Sequence, residues 1–336
     1  MRSFSVIPFC GVKAIKRVLL AAVAAFSLSL HAGAADVPRN VIAIDYAKSK
    51  GLVAAAYQGG QVVVWDFATG SVKKVFGAAG AGTTRNKPLV HFSPDGRRVA
   101  FTAEGEAGLT VYDLEAGTST VVVPSRLLYR GITAFSWSRL QDSMLVAIGR
   151  DILLITSAGH IKWQRRLETR AIISDVVWHP SEKFYTVATD DTTVSSWETV
   201  AGQVTASAVL DTAAHNAPVK VGWTNEGFSL AAVVEGEKLA LLDPESLKPD
   251  KSIPCKCTGF DWNPAGKELA VWAPPNIAVF TASGQRTREI HTPFEGASPV
   301  LWTDEGHILA AFSDSSVVWR DARSPKVIKT FAPPGS

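Results

Sequence analysis

Three observations predict an all-β fold made of seven copies of one four-stranded antiparallel unit. Aromatic residues that each close a short apolar run recur at spacings of 39–46 residues. A polar turn and then a run rich in small residues follow most of these aromatics. The repeats show no helical period. Because one such unit cannot bury both of its faces, the units must pack together, and the prediction is a seven-bladed β-propeller.

The repeats align on the aromatic residue that ends the first strand of each unit. These aromatics are Tyr46, Phe92, Trp137, Trp178, Trp223, Trp262 and Trp302. The turns that follow five of them are SPDG at 93–96, HPSE at 179–182, TNEG at 224–227, NPAG at 263–266 and TDEG at 303–306. Trp, Phe and Tyr at these positions are expected to fill the space between neighbouring units.

The next strands differ in composition according to their place in the unit. The second is rich in Ala, as in 268–273, and the third is strongly apolar, as in 62–66. Both are expected to be covered on two faces, with small residues allowing close approach. The fourth is more polar, which predicts a solvated outer position; examples are Ser71–Phe76, Ile161–Leu167, Arg286–Thr292 and Lys326–Phe331.

We predict a signal peptide over residues 1–34 and one propeller domain over 35–336. The seven repeats are placed at about 41–88, 89–131, 132–171, 172–218, 219–256, 257–298 and 299–336. Ring closure by face packing alone is predicted, because the repeats start with an innermost strand at Val41–Tyr46 and end with an outermost one at Lys326–Phe331. That order leaves no strand to join the first and last sheets.

The signal peptide prediction depends on three features. Four basic residues between positions 2 and 17 precede the apolar run Val18–Leu30, and Ala32-Gly33-Ala34 is a cleavage site of the small-x-small type. An uncleaved anchor is the alternative, but a bilayer needs about 20 apolar residues. We therefore expect cleavage near Ala34 and export to the periplasm or outside the cell.

Removal of the signal peptide changes the charge of the protein. The full chain has 34 basic and 31 acidic residues, and loss of the four basic residues of the signal gives a formal charge of −1. A basic chain would suggest nucleic acid as a partner, but the mature chain has a formal charge of −1. No nucleic-acid partner is therefore expected. No later apolar segment reaches membrane length, and no transmembrane segment is expected after cleavage.

The pair Cys255-Lys256-Cys257 is the candidate metal site. In an extended segment alternate side chains share a face, so both sulfurs could point the same way and hold a soft metal such as Cu(I), with help from His291. Two buried or rim thiols, or a disulfide within or between chains, are the alternatives. Two cysteines alone complete no coordination shell, and no cofactor is expected.

Other polar motifs are interpreted as structural. The stretch GAAGAGTT at 77–84 lacks the Lys of a phosphate-binding loop and is expected to be a loop between units. Asp190-Asp191 and Asp304-Glu305 lie in predicted hairpin turns, a position that favours Asp. The histidines show no paired spacing, and a Gly-x-Ser-x-Gly motif is absent from the sequence. We therefore assign no catalytic residue.

The repeat length, FSPDG at 92–96 and VWD at 64–66 resemble those of WD-repeat (WD40-type) β-propellers. The resemblance covers about residues 41–331. A full repeat of that family also has an Asp in the second turn, hydrogen-bonded with His, Ser/Thr and Trp. Here Asp191, Trp197 and His215 match parts of the set, and no repeat contains all of it.

The resemblance implies a protein- or peptide-binding scaffold that uses one face near the central channel. We expect an exported, non-enzymatic, monomeric, divergent bacterial member of this kind. The segment 92–103 is also similar to TolB-like envelope propellers, which have six blades and an additional α/β domain. The enzymatic alternatives are a lactonase-like hydrolase, with a metal and carboxylates in the channel, and a quinone-dependent dehydrogenase.

Overall fold

The structure is a computed structural model that describes residues 39–77, 87–102, 107–124, 130–213, 217–292 and 299–334. These residues form 28 strands in seven sheets, and no helix occurs among them. Within the same residues no helix is long and apolar enough to cross a membrane. The predicted all-β, seven-bladed propeller of four-stranded antiparallel blades is confirmed.

Each blade consists of four consecutive strands, paired in chain order. Blade 1 has β1 (Arg39–Ala47), β2 (Leu52–Gln58), β3 (Val62–Asp66) and β4 (Val72–Phe76). Blade 2 has β5 (Val90–Phe92), β6 (Arg98–Thr102), β7 (Ala107–Asp113) and β8 (Ser119–Pro124). Blade 3 has β9 (Ile132–Trp137), β10 (Met144–Ile148), β11 (Asp151–Ile155) and β12 (Ile161–Arg166).

The remaining blades follow the same order. Blade 4 has β13 (Ile173–Trp178), β14 (Phe184–Thr189), β15 (Thr193–Glu198) and β16 (Val204–Val209). Blade 5 has β17 (Val219–Trp223), β18 (Leu230–Val234), β19 (Lys238–Leu242) and β20 (Pro249–Pro254). Blade 6 has β21 (Gly259–Trp262), β22 (Glu268–Ala273), β23 (Asn276–Thr281) and β24 (Arg286–His291). Blade 7 has β25 (Val300–Trp302), β26 (His307–Ala311), β27 (Val317–Asp321) and β28 (Val327–Phe331).

The first strands of the blades surround a central channel. The first strand of each blade contacts the first strand of the next, and β25 of blade 7 contacts β1 of blade 1. The hydrophobic core is divided into seven clusters, and each cluster joins two successive blades. Burial thus occurs between blades, which explains why the second and third strands are apolar on both faces.

Among the described residues, blades 7 and 1 are joined through their faces and share no strand, as predicted. Their common cluster, here called the closing interface, packs Tyr57 and Trp65 of blade 1 against Phe331 of blade 7, all three fully buried. Phe67 also packs here, with its ring centroid 4.7 Å from that of Trp319 and 5.9 Å from that of Phe331. Large aromatic contacts therefore replace the missing strand pairing.

Hydrogen bonds also cross the closing interface. The indole Nε1 of Trp65 donates to the carbonyl oxygen of Ala332 at 3.1 Å, and the Tyr57 hydroxyl donates to that of Ser315 at 3.2 Å. The Lys329 ammonium donates to the carbonyl oxygen of Phe67 at 3.0 Å. A buried indole or phenol needs such a partner, so these bonds fix the register of the two faces.

The hydrogen-bonded tetrad of the WD-repeat family is incomplete in blade 4. Asp191 accepts hydrogen bonds from the Thr189 hydroxyl at 2.5 Å and the Thr193 amide at 3.2 Å. Trp197 donates instead to Ser195 of its own strand, at 2.8 Å. His215 lies outside the described residues, as do the predicted signal peptide and residues 78–84 of the glycine-rich stretch.

We expect Phe331→Ala to lower the free energy of unfolding by about 3–5 kcal/mol, the usual cost of deleting a buried Phe side chain. The matched control is Ile328→Ala on the same strand, where the side chain is 37% exposed. Its cost should be about 1 kcal/mol or less. Urea denaturation of both variants measures the difference. Equal losses would contradict a packed closing interface.

Candidate functional site

The strand order places two sets of connections on opposite faces of the ring. Strands in each blade alternate in direction, so the connections after the first and third strands lie on one face. The connections after the second and fourth strands lie on the other. Between the faces, three places collect polar and charged groups: the central channel and two grooves on the outer rim.

Three aspartates on first strands, which we call the channel carboxylates, line the central channel. Asp45 accepts the amide of Tyr46 at 2.8 Å and that of Phe92 in the next blade at 2.6 Å. Asp261 accepts the amide of Trp302 in the next blade at 2.8 Å.

The third channel carboxylate is Asp175. It accepts the amides of Val176 and of Val221 in the next blade, both at 2.9 Å. Each channel carboxylate thus joins the first strands of two successive blades.

Burial in the channel disfavours the charged form of two of these carboxylates, Asp175 and Asp261. The channel wall surrounds Asp261 with protein, and this burial, together with the charge of Asp45, raises the pKa of Asp261 to about 7. Burial also raises the pKa of Asp175. Asp45 lies near a cation when His91 is protonated, since the His91 Nδ1 is 3.7 Å from an Asp45 oxygen.

A lysine faces the same channel beside Asp175. The Lys220 ammonium donates to the carbonyl oxygen of Thr258 at 2.7 Å. Burial, reinforced by the neighbouring charge of Lys87, lowers the pKa of Lys220 to about 8. The charges of Glu235 and Asp175 oppose this shift. The channel therefore contains a lysine that can lose its proton just above neutral pH.

The channel carboxylates act chemically as acceptors for backbone N–H groups. Those hydrogen bonds occupy oxygens that a metal or a substrate proton would otherwise use. Across the part of the chain that the structure describes, no group of three or more His, Cys, Asp or Glu side chains is placed to hold a metal ion. The arrangement supports a structural role for the three aspartates.

The first rim groove, here called the blade 1–2 groove, lies between blade 1 and blade 2 and is bounded by β4, β7 and the turns that follow β1 and β5. It has a volume of about 390 Å³, within the range of small binding pockets. Its apolar surface comes from Leu52, Val64 and Leu114, with Tyr112 beside them. Its charged lining consists of Lys50, Lys73, Lys74, Arg97 and Glu115.

Cations outnumber anions in the blade 1–2 groove. Glu115 accepts from Lys50 at 2.8 Å and from Arg97 at 2.7 Å, and these two cations hold its pKa below the usual range. Lys73 lies 3.4 Å from Asp66. The Lys74 ammonium lies 5.1 Å from the centre of the Tyr112 ring, a cation–π distance.

Gly96 lets the turn of blade 2 approach blade 1 at this groove. Its φ is +69°, and a Cβ atom there would lie 2.8 Å from both Lys50 Cγ and Ser49 Oγ. The final Gly of the SPDG turn is therefore required by backbone conformation and by space. It fixes the distance between the two walls of the groove.

The second rim groove, here called the blade 5–6 groove, has a volume of about 370 Å³. Cys255 lines it, with Lys251 and Arg286 as its cations. Cys255 and Cys257 form a disulfide, with Cys255 partly exposed and Cys257 fully buried. The disulfide was one of the alternatives that the sequence left open. Both sulfurs are bonded to each other here, and metal binding by this pair stays a prediction.

The other polar residues singled out in the sequence lie in turns or form hydrogen bonds within their own blade. Asp190 accepts the Ile172 amide at 2.8 Å, and Asp304 accepts the Gly306 amide at 2.7 Å. Asp190 and Asp191 lie in the turn between β14 and β15, and Asp304 and Glu305 lie in the connection between β25 and β26, which confirms the turn interpretation. The His291 ring, proposed as a further metal ligand, lies 2.9 Å from the Asn276 side-chain oxygen on the neighbouring strand.

The channel carboxylates were not among the candidate residues predicted from the sequence. A signal was present, because a lone Asp interrupts an apolar first strand at each of positions 45, 175 and 261. The blade 1–2 groove left no such signal, since its lysines come from different strands and look like ordinary solvated residues.

No protein-family model and no curated protein matches this chain. Among solved structures, the chain is similar to the crystal structure of the β-propeller domain of Cps50 (Swd1) from Myceliophteria thermophila. The TM-score is 0.65 at 12% identity, and the match covers 82% of this chain and 94% of that one. A similarity at this identity shows the shared fold, a β-propeller.

We expect the contribution of Asp261 to the stability of the protein to fall as the pH rises from about 4 to about 7. The raised pKa of Asp261 means that the folded state binds more protons than the unfolded state across this window. Asp261→Asn, which cannot ionise, should show a smaller fall when urea denaturation is repeated at pH 5, 6, 7 and 8. The control Asp250→Asn alters an exposed outer-strand carboxylate. Parallel profiles for Asp261→Asn and the wild type would contradict this account.

Proposed function

We propose that the protein is an exported, non-enzymatic interaction module that binds an acidic segment of a protein partner in the blade 1–2 groove. The observation that carries this proposal is the lining of the groove, where four basic side chains and one carboxylate surround an apolar floor. Such a lining is complementary to an extended peptide that alternates carboxylates with apolar side chains.

The four basic side chains of the groove differ in how readily they can pair with a carboxylate of such a partner. Lys50 and Arg97 share Glu115, so a partner carboxylate would compete with an existing ion pair. Within the described residues, Lys74 has no carboxylate at ion-pair distance and lies instead beside Tyr112. A carboxylate bound beside Lys74 would therefore add a charge-assisted contact there without breaking an existing one.

The walls of the blade 1–2 groove are rigid, which favours peptide binding without a rearrangement of the groove. The groove is bounded by packed strands of two blades, and Phe76 stacks on Phe101 across them with ring centroids 4.5 Å apart. A preformed groove loses little conformational entropy when a peptide enters. The β-propeller fold supports the same proposal, because WD40-type propellers, which this chain resembles, are known protein-binding scaffolds.

The location that we propose is the periplasm or cell envelope. It is supported by the basic, apolar and small-residue regions of residues 1–34, in the order typical of a signal peptide. A disulfide at Cys255–Cys257 suits an oxidising compartment. We propose a monomer, with the partner as the other component of the complex.

A labelled peptide of alternating Glu and Leu residues should bind the wild-type protein and lose affinity when the groove charge is reversed. We expect Lys73→Glu/Lys74→Glu to raise the dissociation constant at least tenfold, about 1.4 kcal/mol. Fluorescence anisotropy measures this, and high salt should weaken wild-type binding by screening the exposed charges. The peptide with Gln in place of Glu should bind poorly.

The matched control is Lys162→Glu/Lys326→Glu, which makes the same charge change at exposed positions on blades 3 and 7. It should leave the affinity within about twofold, since neither residue lines the groove and charge effects between exposed groups are screened. An equal loss in both double variants would contradict a site in the groove. So would equal binding of the Gln peptide.

The mature protein should begin at Ala35. Cleavage after Ala34 follows from the small-x-small rule, and mass spectrometry of the N-terminal peptide of protein purified from the cell envelope measures it. Arg substitution of Ala32 and Ala34 should block cleavage and leave a larger, membrane-associated product. A mature chain that retains residues 1–34 in the wild type would contradict export with cleavage.

A further inference from the structure

The disulfide between Cys255 and Cys257 lies where an external thiol can reach it. Cys255 is partly exposed and forms part of the wall of the blade 5–6 groove, whereas Cys257 is fully buried behind it. An incoming sulfur can therefore approach the Cys255 Sγ from the groove and cannot approach the Cys257 Sγ. This asymmetry defines which sulfur is attacked and which one leaves.

Stabilisation of the fold is a poor explanation for this disulfide. A disulfide stabilises a protein mainly by closing a loop in the unfolded chain, and the gain decreases as the loop becomes shorter. Here the bonded residues are only two positions apart. The blade 5–6 core also holds the surrounding strands together without it, through Leu241, Trp262 and Phe280 among others.

The backbone holds both cysteines in place independently of the bond between them. The Cys255 amide donates to the carbonyl oxygen of Glu237 at 2.9 Å, and the carbonyl oxygen of Cys257 accepts from the Gly236 amide at 2.7 Å. Both partners belong to the turn between β18 and β19. Because these bonds do not involve sulfur, the two thiols stay adjacent after reduction, and the disulfide can form again without refolding.

The groove beside Cys255 resembles a site for a polypeptide thiol. Its apolar lining includes Ile253, Val271 and Phe280, and its cations are Lys251 and Arg286. Apolar contacts can hold an extended chain beside the sulfur, and the cations attract a thiolate or a neighbouring carboxylate. Lys256, exposed between the two cysteines, adds a third positive charge.

We propose that Cys255–Cys257 is a thiol–disulfide exchange site that oxidises a dithiol segment of a polypeptide bound in the blade 5–6 groove. A thiolate of the segment attacks the Cys255 Sγ, the Cys255–Cys257 bond breaks, and Cys257 leaves as a thiolate that takes up a proton. The second thiol of the segment then attacks the mixed disulfide and releases Cys255. The segment loses two electrons and two protons, and the two cysteines gain them.

The test uses full-length protein in a Cys10→Ser background, so that Cys255 and Cys257 are its only cysteines whether or not residues 1–34 are removed. The oxidised protein is mixed with a synthetic peptide that carries two cysteines, and the remaining peptide thiols are trapped with excess N-ethylmaleimide. Urea is then added so that the reagent also reaches the buried Cys257, and the products are analysed by mass spectrometry. We expect one peptide to be oxidised per chain and two alkylated cysteines to appear, with an unchanged circular dichroism spectrum. Reduction that occurs only when urea unfolds the protein would overturn the proposal.

Single-cysteine variants test the assigned roles. Oxidised glutathione should form a stable mixed disulfide with Cys255 in Cys257→Ser, because the second sulfur is absent. In Cys255→Ser, the buried Cys257 should react at least tenfold more slowly while the protein is folded. Circular dichroism checks that both variants fold. Equal reactivity of the two cysteines, or faster reaction of Cys257, would overturn the proposed order of attack.

The role of the groove is tested by reversing its charge. Lys251→Glu/Arg286→Glu should slow the oxidation of an acidic two-cysteine peptide several-fold and leave that of a neutral one nearly unchanged. The control Lys162→Glu/Lys326→Glu should alter neither rate. Equal slowing of both peptides, or of both protein variants, would overturn substrate binding in the blade 5–6 groove. These outcomes are independent of peptide binding in the blade 1–2 groove.

Discussion

Closure of the ring by packing of blade 7 on blade 1 is the constraint on which the other features depend. A propeller that shares a strand between its first and last blades is held by backbone hydrogen bonds, whereas this ring is held there by side chains. Trp65, Phe67 and Phe331 supply the apolar contact, and the bonds made by Tyr57 and Lys329 give it a defined register. If this interface opened, the first strands would no longer enclose a channel.

The channel and the rim serve different purposes within this ring. In the channel, Asp45, Asp175 and Asp261 join successive first strands. Burial disfavours ionisation of Asp175 and Asp261. On the rim, the strands are solvated and lysines can remain charged without a desolvation cost. The same blade-to-blade spacing produces two grooves of similar volume. The lining of the blade 1–2 groove is basic and apolar, whereas the blade 5–6 groove contains a disulfide. The two grooves therefore differ in their chemistry.

The sequence predicts the fold well because the fold depends on period and composition. The recurring aromatics, the turn residues and the polar fourth strands are local signals, and the observed β22 (Glu268–Ala273) has the predicted bounds. The grooves depend on which strands become neighbours, and local patterns carry no such information. Lys74 and Tyr112 are 38 positions apart in the chain, yet they meet in one groove. Likewise, two cysteines with one residue between them suit a metal or a disulfide until their burial is known.

Hydrogen exchange of the native protein tests whether face packing makes the ring one cooperative unit. The measurement compares the slowest-exchanging backbone amides of β2 and β27, which flank the closing interface, with those of β14 and β15 in the opposite part of the ring. If the closing interface is as stable as the others, all of these amides should exchange with the free energy of global unfolding. Exchange of blades 1 and 7 at a distinctly lower free energy, with blade 4 still protected, would show that the ring opens there and would contradict the account.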